Sequence, residues 1–267
     1  MSVHFEVSRS GYYKAVSAKD KRKSREALIV ELVHQVRHRH PRMGGKKLYG
    51  LLKEEIRKID DKIGRDKFFD LLRRHKLLVK RRKKYVYTTE SYHRFRVHKN
   101  LIKDKLFTKG NQGWASDITY IRTRKGFMYL FLITDLYSRK IVGWSLAASL
   151  RIEGAIDALQ MAMKQCAVTN GVIHHSDRGI QYCCNEYVKL LRSAGIEISM
   201  TEENHCYENG MAERVNGILK DEYALEEEFA DHKQAEKATR QAIWSYNNER
   251  PHWSLQLCTP NQVHIAA

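Results

Sequence analysis

Cys206-Tyr-Glu-Asn-Gly-Met-Ala-Glu213-Arg-Val-Asn-Gly-Ile-Leu-Lys220 is the stretch whose reading decides the fold. Turn-prone Glu208-Asn209-Gly210 opens it, and the residues after that turn read as a helix. Glu213 and Lys220 are seven residues apart, about two helical turns, so they share a face. On their own they would be a surface charge pair. Two further acids lift them above that. Asp177 ends the apolar run Val172-Ile-His-His-Ser-Asp177, and Asp117 lies within another, Trp114-Ala-Ser-Asp117-Ile-Thr-Tyr-Ile121. Between Asp177 and Glu213 lie 35 residues.

This pattern resembles the Asp-Asp-(35)-Glu signature of the polynucleotidyl transferases that include retroviral integrases. It most resembles the insertion-sequence transposases whose catalytic segment is encoded by the second of two overlapping frames. The matching words are Trp114–Ile121, Thr134-Asp-Leu-Tyr-Ser-Arg-Lys-Ile-Val-Gly-Trp144, His175-Ser-Asp-Arg-Gly-Ile-Gln-Tyr182, Glu213 with Lys220, and Tyr246-Asn-Asn-Glu-Arg-Pro-His252 with Thr259-Pro260. They fall in order over more than half the chain. The opening Ser8-Arg-Ser-Gly-Tyr-Tyr13 and the basic region after it are similar to the family as well.

The resemblance implies a DNA transposase that cuts and joins strands at the ends of an insertion sequence. It implies that Asp117, Asp177 and Glu213 are both catalytic residues and metal ligands. Phosphodiester transfer needs an activated oxygen nucleophile, a stabilised leaving oxygen and neutralised phosphate charge. Two Mg²⁺ ions, for which Mn²⁺ can substitute, supply all three, and carboxylates are the hard oxygen ligands such ions take. Lys220 would hold the element end; its bland alternative is a surface lysine paired with Asp221 or Glu222. Joining two ends implies a homo-oligomer on double-stranded DNA. Family members are often active as a fusion of both frames, which implies an upstream extension to this chain. They also commonly carry Asp-Asn where this chain has Glu208-Asn209. The zinc module of retroviral integrases is not expected, because His34, His38 and His40 have no cysteine before Cys166.

Composition agrees with a two-part protein. The 267 residues are 42% hydrophobic and 10% aromatic, which excludes a disordered chain, and the net charge is +17. That charge is lopsided: residues 1–110 carry 32 Lys and Arg against 12 Asp and Glu, and residues 111–267 carry 16 against 19. A basic half joined to a near-neutral half fits a DNA-binding part plus a chemistry part. The five cysteines show no Cys-x-x-Cys spacing, so reduced thiols in a cytosol are expected; the resemblance implies a bacterial, nucleoid-associated protein. With no apolar stretch of about 18 residues, no membrane partner is expected.

Taken in order, residues 1–23 read as a short helix-and-turn remnant or linker. Residues 24–83 read as three short helices, a helix-turn-helix domain. Its third helix, from about Gly64 to His75, sets Phe68, Phe69, Leu71 and Leu72 against Arg65, Lys67, Arg73 and Arg74, the residues expected on DNA. A plain three-helix bundle with a solvated basic face is the alternative. Residues 84–110 form a basic linker, entered through Lys80-Arg81-Arg82-Lys83-Lys84 and interleaved with Tyr85, Tyr87 and Tyr92; Arg81 and Arg82 are expected to track phosphates.

Residues 111–230 read as β-β-β-α-β-α-β-α: strands at 112–121, 127–135, 140–146, 172–175 and 196–200, and helices at 152–166, around 187–193 and from about 210. This is the order of the ribonuclease-H-like fold, an α/β mixed five-stranded sheet flanked by helices, here preceded by the all-α domain. In that fold the first and fourth strands are neighbours, which would bring Asp117 to Asp177. Residues 231–267 read as a helical extension. Trp114 is expected in the core, Asp135 in hairpin hydrogen bonding, and His174 and His175 in structural rather than metal-binding roles. Arg250 could reach a phosphate. The competing readings are a non-catalytic DNA-binding fragment or repressor-like relative, and an RNA-directed nuclease of the same fold.

Overall fold

The structure, a computed structural model, describes residues 8–79, 95–202 and 209–266. The chain divides into two compact units, residues 1–81 and 82–267.

The first unit holds three helices, α1 (Arg9–Arg39), α2 (Gly45–Ile59) and α3 (Arg65–Arg74). Apolar residues at helical spacing meet in one core: Ile29, Val33 and Val36 of α1, Leu48, Leu52 and Ile56 of α2, and Phe68, Leu71 and Leu72 of α3. The expected break after residue 23 is absent. The Ser8 hydroxyl accepts the Gly11 N–H and starts α1, which then runs unbroken to Arg39. No glycine or proline interrupts residues 12–40, so nothing in the local sequence stops the helix. Arg81 and Arg82, the run 80–84 and the tyrosines at 85, 87 and 92 lie outside the described residues.

The second unit is the expected ribonuclease-H-like fold. Its strands are β1 (Gly113–Thr123), β2 (Gly126–Asp135), β3 (Ile141–Ala147), β4 (Ile173–Ser176) and β5 (Glu197–Met200), in sheet order β3-β2-β1-β4-β5. The β1–β2 and β2–β3 pairs are antiparallel, and β1–β4 and β4–β5 are parallel. Gly126 turns the first hairpin at φ +111, a conformation that favours glycine.

Helices cover both faces of the sheet. Along β2, Phe131 and Ile133 pack beneath α4 (Ile152–Gln165) and α6 (Asn185–Ser193), while Leu130 and Leu132 pack beneath α7 (Gly210–Glu222) and α8 (His232–Asn248). Fully buried side chains of this size contribute about 1.5–3 kcal/mol each. The buried side of α4 is made of small residues, Gly154, Ala155, Ala158 and Ala162 around Leu159, whereas Ile156 and Met163 are only partly buried. Close approach explains this: a Cβ on Gly143 of β3 would stand 2.1 Å from the Ala158 carbonyl. The short helices α5 (Ile180–Cys183) and α9 (Pro260–Ile265) complete the unit. Among the described residues no helix is long and apolar enough to cross a membrane.

Candidate active site

The parallel ladder between β1 and β4 sets Gly113 opposite Ile173, Trp114 opposite His174 and Ala115 opposite His175. Two residues beyond the last of these pairs come Asp117 in β1 and Asp177 just after the end of β4, close enough that the charge of Asp177 is felt by Asp117. Asp177 Oδ1 accepts the Gly179 N–H at 3.0 Å. A Cβ at position 179 would lie 3.0 Å from that same oxygen, so the turn closes tightly over the carboxylate. Asp117 accepts the Ile118 N–H at 2.9 Å on Oδ1 and the Asn216 side-chain amide at 2.7 Å on Oδ2.

Glu213 enters from α7, exposed on its first turn. Two buried asparagines dock this helix on β1. Asn209 donates to the Ser116 carbonyl at 3.1 Å, and Asn216 donates to Asp117. Residues 203–208, including Cys206 and Glu208, lie outside the described residues.

Burial and the neighbouring Asp177 push the Asp117 carboxyl up to about 7, against the pull of the Ile118 N–H and the Asn216 amide; Glu213 adds a smaller upward push. Asp117 thus stands in the combined negative field of both other acids, the environment a divalent cation relieves. Three hard carboxylates fit Mg²⁺ by donor chemistry. No three His, Cys, Asp or Glu side chains among the described residues are gathered closely enough to hold a metal ion. The preformed part of the arrangement is therefore the Asp117–Asp177 pair, with Glu213 at its open side.

The two histidines before Asp177 are buried and serve the strands. His174 Nε2 meets the Ser116 hydroxyl at 2.6 Å and the Tyr187 hydroxyl at 3.0 Å, which ties β4 to β1 and to α6. Burial, reinforced by His175, pulls His174 down to about 3, so it is neutral. His175 Nδ1 meets the Ser199 hydroxyl of β5 at 2.8 Å.

Lys220 lies two turns along α7 from Glu213. Its ammonium stands 4.1 Å from the centre of the Tyr120 ring. Burial lowers its pKa, opposed by Glu226 and Asp117 and assisted by Arg122, so it shares the electrostatic field of Asp117. In the other unit, Arg65 pairs with Asp66 at 2.9 Å, Arg73 pairs with Asp70, and Arg74 grips Glu26 of α1 through two bonds of 2.9 and 3.1 Å. Lys67 is exposed on α3.

Other expectations resolve as structure. Trp114 is fully buried and donates to Asn111 at 3.1 Å. Asp135 is fully buried and accepts from the Asn111 N–H, the Ser138 N–H and the Ser138 hydroxyl, each at 2.7 Å. Burial would raise its pKa, but His264, Ser138 and Asn111 hold it low. Arg250 does not reach out for a phosphate. It is 1% exposed, bonded to Glu222 at 2.8 and 2.9 Å and to His252 Nε2 at 2.8 Å. The nearby Asn247 amide pairs with both backbone groups of Ile141, at 2.9 Å each, in place of a strand neighbour.

Sequence reasoning passed over Asn209, Asn216 and Tyr120. Asn216 carried a readable signal: three residues after Glu213 and four before Lys220, it lies on their helix face. Nothing local marks Tyr120, whose relation to Lys220 is tertiary.

Residues 108–206 match a family model described as an integrase core domain, and residues 194–260 match a second model of the same description. The insertion element IS600 uncharacterized 31 kDa protein of Shigella sonnei is 34% identical over 262 residues, covering 96% of this chain and 94% of that protein. Transposase InsF for insertion sequence IS3A of Escherichia coli strain K12 is 38% identical over 159 residues, 59% of this chain and 55% of that protein. Among solved structures, the simian T-cell lymphotropic virus intasome in complex with PP2A regulatory subunit B56 gamma matches at a TM-score of 0.51 and 19% identity. That match covers 87% of this chain and 73% of that chain, a likeness of fold alone.

Proposed function

The chain belongs to the insertion-sequence transposases with an integrase core of the Asp-Asp-Glu type, and from that premise we propose that it cuts DNA at the ends of an insertion sequence and joins them to target DNA. The observation that supports this reading is the upward push on Asp117 from Asp177 and Glu213, with Asp117 and Asp177 both just beyond the paired part of β1 and β4. Structural acids are normally relieved by a cation or by hydrogen-bond donors, as Asp135 is here. A buried acid pushed upward by two neighbouring acids is a poor structural device and fits a cation site.

In this reading Asp117, Asp177 and Glu213 hold two Mg²⁺, for which Mn²⁺ substitutes. The ions, when bound, lower the pKa of attacking water and neutralise phosphate charge. The protein supplies the rest. Asn216 keeps the Asp117 carboxylate turned toward its partner, and the Gly179 N–H does the same for Asp177. Asn209 holds the start of α7 on β1, which keeps Glu213 at the open side of the pair. Lys220, partly desolvated against Tyr120, offers its ammonium to a phosphate of the element end. Because two ends are joined, the working form is a homo-oligomer on double-stranded DNA. Arg65, Lys67, Arg73, Arg74, Arg81 and Arg82 are DNA contacts in the same proposal.

The test is cleavage and joining on a labelled duplex carrying the DNA that flanks this gene, with Mg²⁺ or Mn²⁺, beside Asp177→Asn and Glu213→Gln. Metal-dependent joined products from the wild type that vanish in both variants support the reading. Tight DNA binding without products, from this chain and from a fusion with the upstream frame, would sink it in favour of a non-catalytic DNA-binding relative.

A further inference from the structure

The DNA-directed reading places the electrostatic contact on α3, but the structure leaves little free charge there. Arg65, Arg73 and Arg74 are each ion-paired, with Asp66, Asp70 and Glu26. Much of the positive charge that is not ion-paired in this unit lies on the first half of α1, beside scattered lysines such as Lys53, Lys58 and Lys67. Between Arg9 and Arg25 no residue is buried, and the first buried side chain of the helix is Ile29. Arg22 pairs with Glu26 at 3.0 Å and Arg25 with Asp60 at 3.4 Å. Arg9, Lys14, Lys19, Lys21 and Lys23 make no ion pair among the described residues, and Asp20 is the one acid in that stretch.

Two arguments converge on a polyanion. The first half of α1 has no tertiary packing of its own to support it, and like charges along it weaken it, so a partner of opposite charge would stabilise it. Lys14 and Lys21 lie on one flank of the helix and Lys19 and Lys23 on the other, because successive residues turn by about 100°. Cations on opposite flanks suit a rod set between two lines of negative charge, such as the two backbones bordering a DNA groove. From Arg9 to Lys23 the helix spans about 21 Å, alongside on the order of a dozen phosphates of duplex DNA.

We infer that the free half of α1, through Arg9, Lys14, Lys19, Lys21 and Lys23, is a phosphate-binding arm for duplex DNA and the main electrostatic contact of this unit. This rests on the DNA-directed reading above. The arm is independent of base sequence, since phosphate contacts position a protein without reading it.

The experiment is fluorescence anisotropy of the full chain on a labelled duplex of arbitrary sequence, between about 50 and 200 mM salt. Replacing Lys14, Lys19 and Lys21 together by Gln keeps helix propensity and removes three charges. The slope of log affinity against log salt should shrink by about 2–3, and affinity at low salt should fall at least tenfold. The matching Lys→Arg triple variant should keep the wild-type slope, which separates charge from shape, and circular dichroism should show both variants folded. The double variant Arg65→Gln, Arg73→Gln, which removes two ion-paired guanidiniums, should shift the slope less than the Gln triple variant does.

A slope unchanged in the Gln triple variant, or moved more by the α3 double variant, overturns the arm. So does an unchanged slope together with a drop in sedimenting mass on replacing the exposed Tyr12 and Tyr13 by Ser, which would make this helix a contact with a second copy. A wild type that binds no duplex sinks the DNA-directed reading itself, whereas a wild type whose slope survives in the Gln triple variant sinks the arm alone.

Discussion

Asp177, the residue after β4, drives the carboxyl of Asp117 in β1 upward; both lie two residues beyond the last parallel pair, Ala115 with His175. The ladder above them and the buried bridge from Ser116 through His174 to Tyr187 hold the two strands together. Those bonds fix the backbones from which the two acids project, and the folded protein carries their repulsion as the upward push on Asp117.

That repulsion has a pH signature. Without divalent cation, Asp117 titrates at about 7 in the folded protein against a usual 3.8. Between those values the folded state keeps a proton that the unfolded chain has released, so raising the pH favours unfolding. The contribution of this group is fully present below about pH 4 and is lost as pH climbs through about 7, with a ceiling on the order of a few kcal/mol. Thermal melts in chelator at pH 5 and pH 8 should show the loss, Asp177→Asn should flatten it, and Mg²⁺ should restore stability at pH 8. Identical pH profiles for wild type and Asp177→Asn would refute this.

Asn216 donates to Asp117 and holds its orientation. Replacing it by Ala should weaken Mn²⁺ binding by about 10–100-fold, the usual effect of removing a group that orients a metal ligand. Titration calorimetry with the metal alone reads this without DNA. A variant that loses melting temperature but keeps its Mn²⁺ affinity would reduce Asn216 to a docking residue for α7.

His174 is neutral and doubly hydrogen-bonded. His174→Phe would leave the Ser116 and Tyr187 hydroxyls without their shared partner, at about 1–3 kcal/mol each. Urea denaturation should register that loss, with Mn²⁺ affinity changed far less than in Asp177→Asn. Equal loss of metal affinity in both variants would make His174 a ligand.

Arg250 and Glu222 form a buried ion pair. Arg250→Met removes the buried guanidinium and strips the partly buried Glu222 of that partner, which costs up to about 3 kcal/mol. The double variant Arg250→Met, Glu222→Leu should recover much of the stability. DNA affinity measured on the folded fraction should not change; a drop there would return Arg250 to the role of a phosphate contact.

The sequence by itself determined the strands of the second unit and their order, though not the length of α1 or the short α5. Alternation and apolar runs marked all five strands to within a few residues, and the three acids and Lys220 stood out by spacing. The lopsided charge separated a basic half from a near-neutral one. These are local or compositional signals, readable because strand and helix periods repeat over a few residues. Only the tertiary structure decided which polar groups meet. Asn216 reaches Asp117 across 99 residues, Arg250 finds Glu222 across 28, and Arg74 finds Glu26 across 48. A charge seen in sequence is only a count. Whether it is free for DNA or already satisfied inside the protein depends on how distant segments pack. Packing therefore engaged the three arginines of α3 in ion pairs while leaving a run of cations on α1 without one, and turned Arg250 from a candidate phosphate contact into a buried partner of Glu222.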